Sequence, residues 1–207
     1  MVHGKPFVVD GKRMNDTNDL VALVGSRICH DLISPLGAIG NGIELMLLGG
    51  SEDSPEMALV RESLENASGR IRFFRIAFGA AQSGHGVRAA EITSALEDAG
   101  RKAMIDWRVP GDCPRPETKL AFLLTACCES AMPFGGTITV NEAGGIWSVT
   151  GRAERMKISP DDWAHLTGKG GELTPAKVHF GLVLPEVQAQ RRKLGVEVTD
   201  TRLHLTF

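Results

Sequence analysis

The chain has 207 residues, enough for one large domain or two small ones, and its 43% apolar content can supply a substantial core. Twenty-three basic residues against 25 acidic ones leave a net charge of −2, which gives no general electrostatic reason to expect a nucleic-acid partner. No run of about 18 apolar residues offers a membrane span, and the N-terminal stretch MVHGKPFVVDGKRMNDTNDL has no apolar signal core, so a cytoplasmic location is expected.

The four cysteines, Cys29, Cys113, Cys127 and Cys128, form neither a CxxC pair nor a zinc-type spacing with histidine. Cys127 and Cys128 stand side by side in an apolar run, where a free thiol packs as a small hydrophobe.

The first helix is expected from about Asn15 to Leu48, ending at Gly49-Gly50. A second helix starts at Ser54-Pro55-Glu56, an N-cap followed by proline and an acid in the first turn, and runs to about Gln82. Along it Met57, Val60, Leu64, Ala67, Ile71, Phe74 and Phe78 recur every three or four residues, the pattern of a bundle seam. The first helix has a similar stripe in Val21, Val24, Ile28, Leu32, Pro35, Ile39 and Ile43 or Met46. Two such helices joined by a short loop make a hairpin, and one hairpin cannot cover both stripes. Two hairpins related by two-fold symmetry can, which predicts a homodimeric four-helix bundle.

From about Gly86 the pattern turns to mixed helix and strand. Val87 to Lys102 reads as a helix, Ala103 to Val109 as a strand, Asp112 to Pro116 as a loop and Glu117 to Ala131 as an apolar helix. Thr137 to Val140 and Ile146 to Arg152 read as strands around a turn, with a short helix at Pro160 to Leu166. Thr174 to Leu194 is helical with a break expected at Pro185, and Gly195 to Asp200 with Arg202 to Phe207 closes as a hairpin. The fold class is therefore α+β, with residues 1–84 as a helical hairpin and 85–207 as an α/β sandwich of helices on an antiparallel-rich sheet.

Helical geometry singles out His30. At 100° per residue, Val21, Val24, Leu32, Ile39 and Ile43 fall within roughly 60° of Ile28, while His30 falls about 200° away, on the solvent face. Ser34, Gly37 and Asn41 share that face, and Ile33 lies to one side. Three glycines, Gly37, Gly40 and Gly42, are costly inside a helix at about 1 kcal/mol each, and Pro35 interrupts the hydrogen-bond ladder. A flat docking face with a local kink beside the histidine explains these choices.

The segment around His30, with Asp31, Pro35 and Leu36 at the spacing His-acid-x3-Pro-Leu, resembles the H-box of histidine kinases. The longer run HDLISPLGAIGNGIELM, the hairpin layout and the CCESAMPFGGTITV segment resemble the alphaproteobacterial ChpT family of histidine phosphotransferases over nearly the whole chain. The resemblance implies a homodimeric bundle carrying a degenerate kinase-ATPase-like domain. It also implies phosphotransfer through His30, from the receiver domain of a hybrid histidine kinase to response regulators.

A working kinase ATPase domain needs an asparagine-bearing helix for Mg2+ and phosphates, a DxGxG turn and a glycine-rich loop. Here Ala126 and Ser130 stand where the two asparagines would be, DxGxG is absent, and one glycine, Gly181, remains of the loop. Gly168-Lys169-Gly170-Gly171 lacks the Walker pattern and reads as a surface turn. No intrinsic cofactor or metal is expected; Mg2+ is expected on the partner receiver domain. Expected site residues are His30 and Asp31 for catalysis, and Arg27, Ile33, Ser34, Gly37 and Asn41 for receiver docking. An autophosphorylating soluble kinase and a non-catalytic dimeric scaffold that binds receiver domains are the alternatives left open.

Overall fold

The protein is described from a computed structural model. It covers residues 12–49, 54–81, 84–97 and 101–207; inside the first helix, the side chains of residues 12–20, 22–24, 26–27, 30–31 and 35 lie outside the description. Two long helices come first, α1 (Lys12–Leu48) and α2 (Pro55–Phe78). Ser54 caps α2 as its sequence demands, its hydroxyl accepting from the Met57 amide at 3.3 Å, with Pro55 in the first turn. The helices run antiparallel. A Cβ placed on Gly25 would stand 3.5 Å from the Phe78 carbonyl oxygen, and one on Gly40 would stand 3.2 Å from Leu64 Cδ2. A side chain at position 40 would crowd Leu64, whereas one at position 25 would make ordinary contact.

The remaining elements are β1 (Gly86–Val87), α3 (Ala89–Leu96), β2 (Ala103–Trp107), β3 (Cys113–Pro114), α4 (Arg115–Ala131), β4 (Gly136–Ala143), β5 (Ile146–Arg152), α5 (Pro160–Ala164), α6 (Val178–Ala189), β6 (Gly195–Val198) and β7 (Arg202–Thr206). Five strands form one sheet in the order β2-β4-β5-β7-β6. β2 pairs with β4 in parallel and the other neighbours are antiparallel. A parallel pair needs a crossover, and α4 provides it. The β4–β5 hairpin turns on Gly144 and Gly145, at φ 60° and 84°, a left-handed pair that glycine adopts freely.

Alternation along the strands decides which face is buried. Ile138, Val140, Trp147, Val149, Leu203 and Leu205 point into the core, while Thr139, Ser148 and Thr150 lie on the other face. α4 is the core helix, with Leu120 to Leu124, Cys127 and Cys128 fully buried. Phe73, Ile76 and Ala77 of α2 belong to the same core, so the last two turns of the hairpin are packed into the sandwich. All four cysteines are free and buried, and burial raises the Cys128 thiol to about 12. No helix among the described residues is long and apolar enough to cross a membrane.

Three sequence expectations need correction. Val87 to Lys102 is not one helix: Val87 is buried in a short strand paired with Cys113, and the helix spans only Ala89–Leu96. Asp112 to Pro116 is not a plain loop. Asp112 accepts from the Ala89 amide at 3.0 Å, Cys113–Pro114 form β3, and α4 begins at Arg115. Pro185 does not break α6. An interior proline costs about 3 kcal/mol, whereas burying Phe180, Val183 and Val187 returns about 1.5–3 kcal/mol each, and the Lys119–Glu186 ion pair ties α6 to α4 beside the proline. The α1 stripe that a second hairpin is expected to cover is exposed in the single chain, with Val21, Ile28, Leu32 and Ile39 at 46–59% exposure. The side of α1 that meets α2 is the neighbouring one, carrying buried Cys29 and Ile43 and half-buried Leu36 and Gly40.

His179 on α6 is buried, and its Nε2 lies 3.1 Å from Ser130 Oγ on α4. Burial, helped by Lys177, lowers its pKa from the usual 6.5 to about 4, with Asp162 opposing. Between those values the unfolded chain binds a proton that the folded chain does not. Stability should therefore fall as pH drops from 6.5 towards 4, by on the order of 2 kcal/mol from this residue. Urea unfolding across that range should show His179→Gln losing less stability with acid than the wild type.

Candidate functional site

The H-box segment lies in the middle of α1, and the helix runs through it without interruption from Lys12 to Leu48. The side chains of Arg27, His30 and Asp31 fall outside the described residues. Their surroundings are described. Ser34, Gly37 and Asn41 are exposed and Ile33 is half-buried, as the helical spacing predicts. A Cβ on Gly37 would meet no other atom within 4 Å, so the space over this flank is open there.

The register between the helices sets what lies across from the H-box. With Gly25 opposite Phe78 and Gly40 opposite Leu64, position 30 falls level with residues 73–75 of α2. Cys29, one residue earlier, is buried, and burial raises its thiol pKa while the nearby Arg75 guanidinium draws it back.

Arg75 belongs to a set of basic residues at the base of the hairpin. Its Nη2 donates to Glu91 Oε1 of α3 at 2.8 Å. Arg115, at the start of α4, donates from Nη2 to the Arg75 carbonyl at 2.7 Å and from Nε to the Ala80 carbonyl at 3.1 Å. Arg72 Nε donates to the Ser94 carbonyl at 3.1 Å. The last carbonyls of α2 lack partners within the helix, so Arg115 supplies what a helix end requires. These bonds fasten α2 to α3 and α4 directly beneath the H-box. Sequence reading missed Arg115, for which the only signal was its place between Pro114 and Pro116 at a helix start.

A cleft of about 380 Å3 lies between α2 and the sandwich, lined by Phe73, Phe78, Ala126, Ser130, Met132 and His179 among others. Ala126 and Ser130 are the residues that the sequence sets in place of two metal-holding asparagines. Alanine offers no ligand atom, and the serine hydroxyl is engaged with His179. Sequence reading had left His179 without a role; only its placement between α4 and α6 shows that it occupies this wall. The Gly168–Gly171 stretch is a turn that closes a 3-10 helix (His165–Thr167), with Gly168 at φ 73°.

The family model "Histidine phosphotransferase C-terminal domain" matches residues 88–202, more than half of the chain. A curated relative, "Protein phosphotransferase ChpT" of Brucella abortus (strain 2308), is 40% identical over 130 residues. That alignment covers 61% of this chain and 62% of the relative, so the chain spans about three fifths of the relative's length. Among solved structures, one described as a bacterial phosphotransferase superposes with a TM-score of 0.62 at 26% identity, covering 97% of this chain and 98% of that one. The matched span runs from just before α3 to the first residue of β7, and the chain belongs to the histidine phosphotransferase family.

Proposed function

We propose that this protein is a histidine phosphotransferase of a multi-step phosphorelay, taking a phosphoryl group on His30 from a receiver-domain phosphoaspartate and passing it to response regulators. One observation carries the reading: the His30-Asp31-x3-Pro35-Leu36 motif stands on a continuous helix of a family member, beside an open flank of small exposed residues.

The chemistry follows from the groups involved. A neutral imidazole nitrogen of His30 attacks phosphorus in line with the bond to the aspartyl oxygen. The N–P bond forms as the P–O bond breaks, and the aspartate leaves as a carboxylate. The transition state is loose, so alignment and charge neutralisation dominate. Asp31 accepts a hydrogen bond from the other ring nitrogen and stabilises the cationic ring. Arg27 stands one turn earlier on α1, at hand for the phosphoryl oxygens. Ser34, Gly37 and Asn41, with Ile33 at the edge, let the incoming receiver domain approach closely. Mg2+ arrives with that domain, and the chain itself needs no bound cofactor. The sandwich is a kinase-ATPase-like domain without its nucleotide chemistry, since Ala126 and the Ser130–His179 pair offer no metal-holding set.

Reaction of the chain with a receiver domain phosphorylated on its aspartate should move the label to this protein, in an acid-labile and base-stable form. His30→Ala should take none while keeping the wild-type unfolding midpoint, and Asp31→Asn should slow transfer about 10- to 100-fold. Full acceptance by His30→Ala would refute the assignment.

The same reading includes a homodimer. Val21, Ile28, Leu32, Ile39 and Met46 on α1 are exposed with Val60 and Phe74 on α2, a continuous apolar band that a second copy would cover as a four-helix bundle. Leu32→Glu together with Ile39→Glu should turn a dimer into a monomer in analytical ultracentrifugation; an unchanged mass would overturn the bundle.

A further inference from the structure

A second cleft, of about 570 Å3, opens where α2, β1, α3 and α4 meet. Its walls carry Arg75, His85, Arg88 and Arg115, against one carboxylate, Glu91. Arg115 is held by two backbone carbonyls and Arg75 by Glu91, so these two guanidinium groups are fixed in place. Arg88 and His85 are exposed at the rim. Asp112 is exposed outside the cleft lining, where it accepts from the Ala89 amide next to Arg88.

Helix geometry sets this cleft beside the H-box. Viewed down α1 from its N terminus, successive residues advance clockwise, and on antiparallel α2 they advance anticlockwise. On α1, Gly37, Asn41 and Ser34 lie about 90–150° beyond the line through Cys29, Leu36, Gly40 and Ile43 that meets α2. On α2, Arg75 and Arg72 lie about 20–80° beyond the line through Leu64 and Ile71 that meets α1. With opposite senses of advance, these two flanks adjoin. The basic cleft therefore opens on the flank to which the sequence assigns His30.

We propose that this cleft docks the acidic surface surrounding the phosphorylated aspartate of the partner receiver domain. The proposal rests on the phosphotransfer reading above and names a second contact for it. A protein that holds Mg2+ next to an aspartyl phosphate must supply further oxygen ligands, so the rim of its site is rich in carboxylates. Such a surface, presented to position 30, would extend past α1 onto the cationic cleft. Opposite charges at a rim of this kind speed the encounter and fix the docking angle, and salt screens them.

Arg88→Glu tests this cleanly. Arg88 is exposed and precedes α3 without making a side-chain cap, and an acid at a helix start is favourable, so the fold tolerates the change. Arg152→Glu, exposed on β5, is the control. Two readouts are taken with the receiver domains of the source organism: binding of the beryllofluoride-loaded domain by fluorescence anisotropy, and transfer of label from the phosphorylated domain. At about 50 mM salt, Arg88→Glu should weaken binding and slow transfer about tenfold, the gap should close near 0.5 M, and Arg152→Glu should match the wild type. Binding by Arg88→Glu equal to wild type at low salt, a deficit that salt does not reduce, or no receiver binding by the wild type would overturn the cleft. Binding weakened by Arg88→Glu without transfer of label to the wild type would retain the cleft and overturn the phosphotransfer reading instead.

Discussion

Everything about the candidate site depends on how the end of α2 is held. Its last turns must serve two neighbours at once, with Phe78 against Gly25 of α1 and Phe73, Ile76 and Ala77 in the core of the sandwich. Phe73 packs on Phe122 of α4 at 4.9 Å between ring centres and lies 4.1 Å beneath the Arg101 guanidinium, which is itself paired with Glu129 at 2.6 Å. Burying a helix end leaves carbonyl groups to satisfy, and each one left bare costs about 1–3 kcal/mol. Arg115 reaches back from the start of α4 to take one of them, that of Arg75, and the carbonyl of Ala80 just past the helix. Close packing of Phe73, Ile76 and Ala77 and the bonds from Arg72, Arg75 and Arg115 together set the rotation of α2, and with it the flank that α1 presents.

That arrangement gives the sandwich a purpose that does not require nucleotide chemistry. On the proposed reading, the domain serves the histidine as a brace and as a second docking wall. The cleft near Ala126 is consistent with this. The position where a metal ligand would be needed is apolar, and Ser130 spends its hydroxyl on a buried histidine whose lowered pKa keeps it neutral near pH 7. Ser130 and His179 thus form part of the α4–α6 contact. Fully buried Leu120 to Leu124 on the same helix serve the core alone, which relaxes none of their packing demands when the ligands change.

Local signals made much of this legible in the sequence. The Ser54-Pro55-Glu56 start of α2, the Gly144-Gly145 hairpin, the alternating strands β4, β5 and β7 and the apolar α4 each follow from residues within a few positions of one another. The H-box is likewise a local motif, and its exposed companions Ser34, Gly37 and Asn41 followed from helical spacing. What escaped depends on contacts made at a distance. The two-residue strands β1 and β3 exist because they pair across an interval that includes α3 and β2. α6 passes Pro185 because tertiary burial outweighs one lost hydrogen bond. The side of α1 that meets α2 carries Cys29, Ile43, Gly25 and Gly40 rather than the more apolar stripe, a choice set by the packing of two whole helices. The basic cleft gathers residues 75, 85, 88 and 115, which share no periodicity a single helix could reveal.

The two unpartnered surfaces of the hairpin point in different directions, and this is a consequence of helix handedness. On α1 the stripe of Val21, Ile28, Leu32 and Ile39 lies about 75° to one side of the line that meets α2, and the small-residue flank lies about 90–150° to the other. On α2, exposed Phe74 and Val60 fall on the stripe's side, whereas Arg75 and Arg72 fall on the flank's side. An apolar partner surface and an acidic one can therefore be engaged at the same time without competing for a residue. Had the apolar stripe packed directly on α2, as its periodicity alone suggests, no such apolar band would remain to pair with a second chain. The offset between the stripe and the contact line thus leaves one hairpin with two separate faces for two kinds of partner.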